Sequence, residues 1–327
     1  MSAAARNADL LPTLEAFSKE ARHELGIIAR NTAFGLVGAA VLAIIIARAG
    51  GGPFAALPFV LALGYAGVAY ALRSRDYRGR FKLSVIEPIV KRADPSLSYS
   101  PNGYIAQHDF MASRLVLEHP DRYSGDDLIQ GRIGETAIRF SEVHAERRRV
   151  TRDAKGNTRT EWQTIFRGTI VIADFNKEFH GETWVLPDTA QRFLGGFGQT
   201  LQSFDRRRGE LVKLEDPVFE QHFAVYASDQ VEARYILSTS LMQRILDYRT
   251  RANRAISLSF VHNHLFLAIP ASQDHLAPPS LLIISNLAGN PRMRSIVLAR
   301  LREYESYIAS VTGIVEDLNL NTRIWGG

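Results

Sequence analysis

Cysteine is absent from this 327-residue chain. That absence excludes disulfide bonds, thiolate metal sites and cysteine nucleophiles, and any zinc would need histidine and carboxylate ligands. Apolar residues are not scarce and charge is not extreme: 46% of the chain is hydrophobic and 22% charged, which excludes a disordered protein and leaves material for a core. Charge is missing altogether from two long stretches. No Asp, Glu, Lys or Arg occurs between Asn31 and Ala47, or between Phe54 and Leu72.

Several short catalytic signatures are also absent. There is no G-x-G-x-x-G turn, no Walker A loop, no G-x-S-x-G elbow and no H-E-x-x-H helix. A dinucleotide-binding fold is therefore not supported, although a site assembled from distant residues leaves no local trace. No catalytic residue, cofactor or metal is assigned from the sequence.

The two uncharged stretches are apolar all round rather than on one face. Their 17 and 19 residues approach the length that crosses a bilayer. Arg48 and the breaker cluster Gly50-Gly51-Gly52-Pro53 separate them. The pattern predicts a transmembrane hairpin over 31–72, with spans at 31–47 and 54–72. A hairpin buried in a large soluble core is the poorer alternative, because adjacent uncharged runs of this length are rare in cores. A cleaved signal peptide is also poorer, since a helical pattern precedes the first run and a second run follows. Gly35 and Ala39 stand at small-xxx-small spacing, which lets helices approach closely.

The charge distribution agrees with an anchor. The formal net charge is +5, from 39 Lys and Arg against 34 Asp and Glu. Residues 1–80 hold nine basic against five acidic residues, an excess of four; the remainder holds 30 against 29, an excess of one. A nearly neutral remainder is unlike a nucleic-acid-binding domain, and no nucleic acid is expected as partner. Arg22 and Arg30 precede the first run, and Arg73, Arg75, Arg78, Arg80 and Lys82 follow the second, against Arg48 alone in the turn. Positive flanks stay cytoplasmic, so both termini are expected in the cytoplasm of a bacterial inner (cytoplasmic) membrane. The lipid bilayer is then the first expected partner.

Around the hairpin the expected organisation is a cytoplasmic amphipathic helix over 1–30 and a cytoplasmic domain over 73–327. Phe81 to Ala93 has apolar residues on one helical face, with a kink expected at Pro88. Leu128–Ile138, Phe140–Thr151 and Thr160–Phe175 read as extended, with turn chemistry at Asp153-Ala154-Lys155-Gly156-Asn157 making the last two a long hairpin. Glu182–Leu186 is a third piece of that sheet. Phe223–Ala227 and Tyr235–Leu237 read as short strands, Thr239–Arg251 as a helix, and Ile256–Val261 with Leu265–Ile269 as a second hairpin. The predicted fold class is α+β, a two-helix transmembrane hairpin followed by a domain of mostly antiparallel strands with flanking helices.

The C-terminal helix, about 292–319, carries the most regular pattern. Val297, Leu301, Tyr304, Ile308, Val311, Val315 and Leu318 recur in alternating steps of four and three, a heptad seam. Leu10, Leu14, Phe17 and Ala21 start the same rhythm before the first run. Either the stripes pack on their own domain, as most amphipathic helices do, or they pair with each other or with a second copy in a homo-oligomer.

Candidate chemistry is thin. His262 and His264 flank Asn263 and would share a face if extended, but a ligand set needs partners the sequence does not offer nearby, and a satisfied polar turn is the better reading. Asp126-Asp127 with Glu135 or Glu142 is a possible carboxylate pair, and fits an N-cap and strand charges equally well. Two basic clusters stand out: Arg147, Arg148 and Arg149 with Arg152, and Arg206, Arg207 and Arg208. Glu142, Glu146 and Glu161 answer the first, so a solvated strand is the default, with a lipid-facing patch as the sharper alternative.

Taken in order, the apolar hairpin, the helix Phe81-Lys82 to Val90, Leu97-Ser98-Tyr99, Asp126-Asp127-Leu128-Ile129-Gln130-Gly131, Phe140-Ser141-Glu142, Phe166-Arg167-Gly168, Leu214-Glu215-Asp216-Pro217-Val218-Phe219-Glu220, Phe223-Ala224-Val225-Tyr226-Ala227 and Ala233-Arg234-Tyr235-Ile236-Leu237 resemble the bacterial domain-of-unknown-function family 3137. The resemblance implies an inner-membrane protein with no established activity to carry over, and hints at LemA-like membrane proteins as partners. The expected role is a non-enzymatic scaffold or sensor that binds protein partners or lipid. A membrane-tethered, hydrolase-like enzyme with a dispersed site is the alternative.

Overall fold

The computed structural model describes residues 8–152, 156, 158–175, 177–187 and 208–321. Two long apolar helices lead into an antiparallel sheet with helices around it, an α+β arrangement. The chain divides into two units, residues 1–89 with 276–305 and residues 90–275 with 306–327.

In the first unit, α1 (Leu11–Arg48) and α2 (Leu57–Phe81) are joined through a short turn of helix at Gly52–Phe54. The amphipathic N-terminal segment and the first uncharged run form one continuous helix. Pro12 lies in the first turn, where its missing N–H costs nothing, and Gly26, Gly35 and Gly38 weaken helix propensity without breaking it. Along the uncharged stretches large apolar side chains point outward; Phe34, Val37, Ile45, Val60 and Leu72 are each more than half exposed. Both helices are long and apolar enough to cross a membrane. At Gly35 a Cβ would stand 3.6 Å from the Ala62 Cβ, so small residues set the close approach of the pair.

Below the uncharged run the α1 stripe turns inward, with Leu10, Leu14, Phe17 and Ala21 all buried. The Phe17 ring meets Tyr77 edge-on at 5.7 Å and Phe81 at the same distance, while the Ser18 hydroxyl donates to the Ser285 carbonyl at the end of helix Leu281–Ser285. Arg80 pairs with Glu20 at 2.7 Å and Asp76 at 3.1 Å, and Arg73 pairs with Glu24. The expected kink at Pro88 takes a particular form: a π-helical turn at Lys82–Ile86 precedes α3 (Glu87–Ala93). Widening the turn accommodates the ring and the lost N–H that an unbroken α-helix could not.

The second unit is built on nine strands among the described residues: β1 Ser98–Ser100, β2 Arg122–Ile133, β3 Thr136–Arg152, β4 Thr158–Asp174, β5 Thr183–Pro187, β6 Glu210–Val212, β7 Phe223–Ala227, β8 Ser257–Val261 and β9 His264–Pro270. Their order is β1-β2-β3-β4-β9-β8-β5-β7-β6, every pairing antiparallel. Phe110, Val143, Phe166, Ile170, Trp184 and Phe266 belong to one buried cluster. Gly168 has φ of +148°, and a Cβ there would lie 2.2 Å from the Ile269 carbonyl oxygen, so the β4–β9 contact requires glycine.

Three sequence-based boundaries change. The break between the first two strands lies at Gly134-Glu135, not at Arg139, because Ile133 pairs directly with Thr136 and Gly134 takes φ of +60° in the two-residue turn. Tyr235–Leu237 is not a strand: Gln230–Ile236 is a helix, nucleated by the Asp229 carboxylate, which accepts the N–H groups of Val231 and Glu232. The C-terminal helix runs Pro291–Thr312, then breaks at Gly313 before Ile314–Asp317. All seven seam residues, from Val297 to Leu318, are at most 3% exposed.

Candidate functional site

The β2–β3 ladder places Asp126 directly opposite Glu142. The register then shifts between Asp126 and Ile129, and Asp127 takes φ of +59° and is buried. The Tyr99 hydroxyl donates to the Asp127 carboxylate. From 133 residues downstream of Glu142, the loop after β9 brings Asp274 and His275 to the same place, where the His275 backbone N–H donates to Glu142 Oε1 at 2.7 Å. Oxygens of Asp126, Asp127 and Asp274 lie within 4.8 Å of one another. The His275 ring stacks on Tyr307 at 4.7 Å, and the Tyr307 hydroxyl bonds to Thr169 at 2.9 Å.

Burial is the main cause that raises the Glu142 carboxyl to about 8, with the charges of Asp274, Asp127 and Asp126 adding to it and the His275 N–H opposing. Burial likewise holds the Tyr99 and Tyr307 phenols well above their ordinary range. Glu142 is therefore mostly a neutral acid near pH 7, able to give as well as accept a hydrogen bond. Of the carboxylates considered from sequence, Asp126, Asp127 and Glu142 converge and Glu135 does not; its N–H sits in the β2–β3 turn, bound by Asn321 Oδ1. Asp274 and His275 had no sequence signal, because a surface-loop Asp-His pair is uninformative until the sheet register is known. The three Asp residues and His275 each have partners inside the fold.

Among the described residues the histidine pair of the second hairpin joins no cluster of candidate metal ligands. His262 and Asn263 take left-handed φ of 50° and 60° and form the turn itself, so the segment is not extended and the two rings do not share a face. His264 Nδ1 meets the His262 carbonyl at 2.7 Å and its Nε2 lies 3.6 Å from Asp174. A cavity of about 460 Å³ opens elsewhere in this unit, lined by Leu115, Val116, Phe166 and Leu186 with Arg167 among them. Its walls are mainly apolar, which suits an apolar ligand better than a charged one.

The basic clusters separate. Arg206 and Arg207 lie outside the described residues. Arg208 is 1% exposed and donates to the carbonyls of Arg114 and Leu115, at 3.0 and 2.7 Å from Nη2. It faces no bilayer; burial lowers its pKa to about 10. Arg147, Arg148 and Arg149 lie instead on an arm. β3 and β4 pair from Arg147–Gln163 to Arg152–Thr158, beyond the last β2 partner at Glu146 and the last β9 partner at Gly168. Six further residues of strand extend the ladder by about 20 Å with both faces in solvent.

Fold and site thus define a class: a chain with a two-helix apolar hairpin and an antiparallel α+β domain holding a half-buried carboxylate cluster and a basic arm. Residues 164–320, from within β4 past the last helix, match the family described as "Protein of unknown function (DUF3137)". Among curated proteins no match was found. Among solved structures the chain is similar to the crystal structure of the mycobacterial trehalose monomycolate transport factor A, TtfA, at 10% identity and a TM-score of 0.33, covering 69% of this chain and 95% of that one. A likeness of that size carries no argument about function.

Proposed function

We propose that this chain is an anchored binding protein of the bacterial inner membrane, a scaffold or sensor whose α+β domain works on the cytoplasmic side. One observation carries the reading: the uncharged stretches of α1 and α2 turn Phe34, Val37, Ile45, Val60 and Leu72 outward. So much contiguous apolar surface is unfavourable in water and favourable in hydrocarbon. The basic flanks at Arg22, Arg30 and Arg73 to Lys82 support cytoplasmic termini. Lipid, a second copy or a LemA-like membrane protein are the partners this reading admits. In-cell crosslinking of tagged full-length protein, with alkaline carbonate extraction of the same membranes, tests it. Retention in the carbonate pellet together with a discrete crosslinked product supports it, and release by carbonate ends it.

A second reading, a tethered hydrolase-like enzyme, is favoured by the convergence of Asp126, Asp127, Glu142 and Asp274 beside Tyr99 and His275. Hydrolysis of a small ester or phosphoester panel that Asp126→Asn abolishes, in protein of unchanged thermal midpoint, would decide for it.

A further inference from the structure

We propose that one face of the β3–β4 arm is a docking surface for anionic phospholipid. The inference rests on the anchored reading above and adds to it where, and by what chemistry, the α+β domain meets the bilayer.

Directly opposed residues of an antiparallel pair share a face. Arg148 opposes Trp162, Val150 opposes Thr160 and Arg152 opposes Thr158, so Arg148, Val150, Arg152 and Trp162 lie on one side of the arm. Arg122, from the start of β2, joins them with its guanidinium carbon 3.4 Å from the centre of the Trp162 ring. Val150 is 51% and Trp162 37% exposed. Glu146 is the acidic residue of this face, at its base beside His144. Among the described residues, no ion pair joins the guanidinium groups of Arg122, Arg148 and Arg152 to a carboxylate, although Arg122 stands across from Glu146 and the Arg148 backbone N–H donates to Asp121 Oδ2 at 2.7 Å; the Arg152 Nε donates to the Gly156 carbonyl. The opposite side differs. Arg147 pairs with Glu118 at 2.8 Å, Arg159 with Glu161 at 3.0 Å, and Arg149 stands across from Glu161.

The arm therefore has one face whose arginines pair with carboxylates and one that carries three arginines, Arg122 stacked on the indole of Trp162 and Arg148 and Arg152 along the same side as Val150. Guanidinium matches phosphate oxygens in bidentate geometry, indole favours the headgroup level, and valine favours the acyl boundary. Two membrane-spanning helices on the same chain keep the arm at high local concentration near a bilayer, so that a weak contact suffices. A nucleic acid fits less well, because Arg122 already covers one face of Trp162 and denies it to a stacking base.

The test uses full-length protein, which has no native cysteine, carrying Thr160→Cys labelled with an environment-sensitive dye. It is placed in vesicles of phosphatidylcholine alone or with phosphatidylglycerol. Docking predicts a blue shift and quenching by headgroup-labelled lipid in the anionic vesicles only, both reversed by salt. R122Q/R148Q/R152Q should weaken docking by about a hundredfold, the effect of three arginines near an anionic leaflet, while R147Q/R159Q on the other face should not. Equal signals in both vesicle types, or equal loss in both variants, overturns the proposal. So does a shift produced in phosphatidylcholine vesicles by an oligonucleotide or an acidic peptide, which would assign the face to that partner. Flotation separates the two readings: protein that does not float with vesicles has lost its anchor reading, whereas protein that floats with an unshifted dye has lost only the arm.

Discussion

Glu142 and His275, 133 residues apart, meet at 2.7 Å through the backbone N–H of the histidine and a carboxyl oxygen of the glutamic acid. That single bond closes the loop after β9 over the β2–β3 ladder and fixes a carboxyl group beside Asp126, Asp127 and Asp274. Because burial and these neighbours raise Glu142 to about 8 from its ordinary 4.5, the folded chain keeps a proton that the unfolded chain releases. The associated stability is full below about 4.5 and is lost as pH climbs through about 8.

The first prediction follows from that sign. Between pH 5 and pH 8 the full-length protein in nanodiscs should lose about a few kcal/mol of stability through this group. Glu142→Gln keeps an oxygen acceptor for the His275 N–H and removes the titration, so its thermal midpoint should be flatter with pH and higher than the parent's at pH 8. An unchanged slope in the variant would place the titration elsewhere.

Arg208 gives the second. Removing its guanidinium strands the buried Leu115 carbonyl and takes a partner from the half-buried Arg114 carbonyl, so Arg208→Ala should cost roughly 2–4 kcal/mol in denaturant unfolding. Flotation of the folded fraction with anionic vesicles should not change, because this arginine does not reach the surface.

The seam is the basis of a third. Leu301 and Ile308 are fully buried within the chain, and each change to Ala should cost roughly 2–5 kcal/mol by opening a cavity. Light scattering in detergent should show the same particle mass for parent and variants while the midpoint falls. A change of mass without loss of stability would restore a pairing role for the seam.

A fourth concerns orientation. Gly52 and Gly79 have open space where a side chain would go, so Gly52→Cys and Gly79→Cys should fold normally in this cysteine-free chain. An impermeant maleimide should label Gly52→Cys in cells with a permeable outer envelope, and Gly79→Cys only after the inner membrane is opened. The reverse pattern would invert the topology.

Much of this molecule was legible from periodicity. The two uncharged runs, the β3–β4 pair, the β8–β9 hairpin and the C-terminal helix follow from local hydrophobic pattern, because each depends on residues near one another in sequence. Boundaries moved where a local turn or cap competed, as at Gly134 and Asp229. Tertiary structure alone decided the rest. Whether Arg208 lies in solvent or in the core, whether the heptad stripe is covered, and which carboxylates join Glu142 depend on sheet register and on loops that return from far along the chain. The same arginine is a surface cation on the arm and a buried donor at position 208, and the difference lies in which carbonyls the fold leaves without partners.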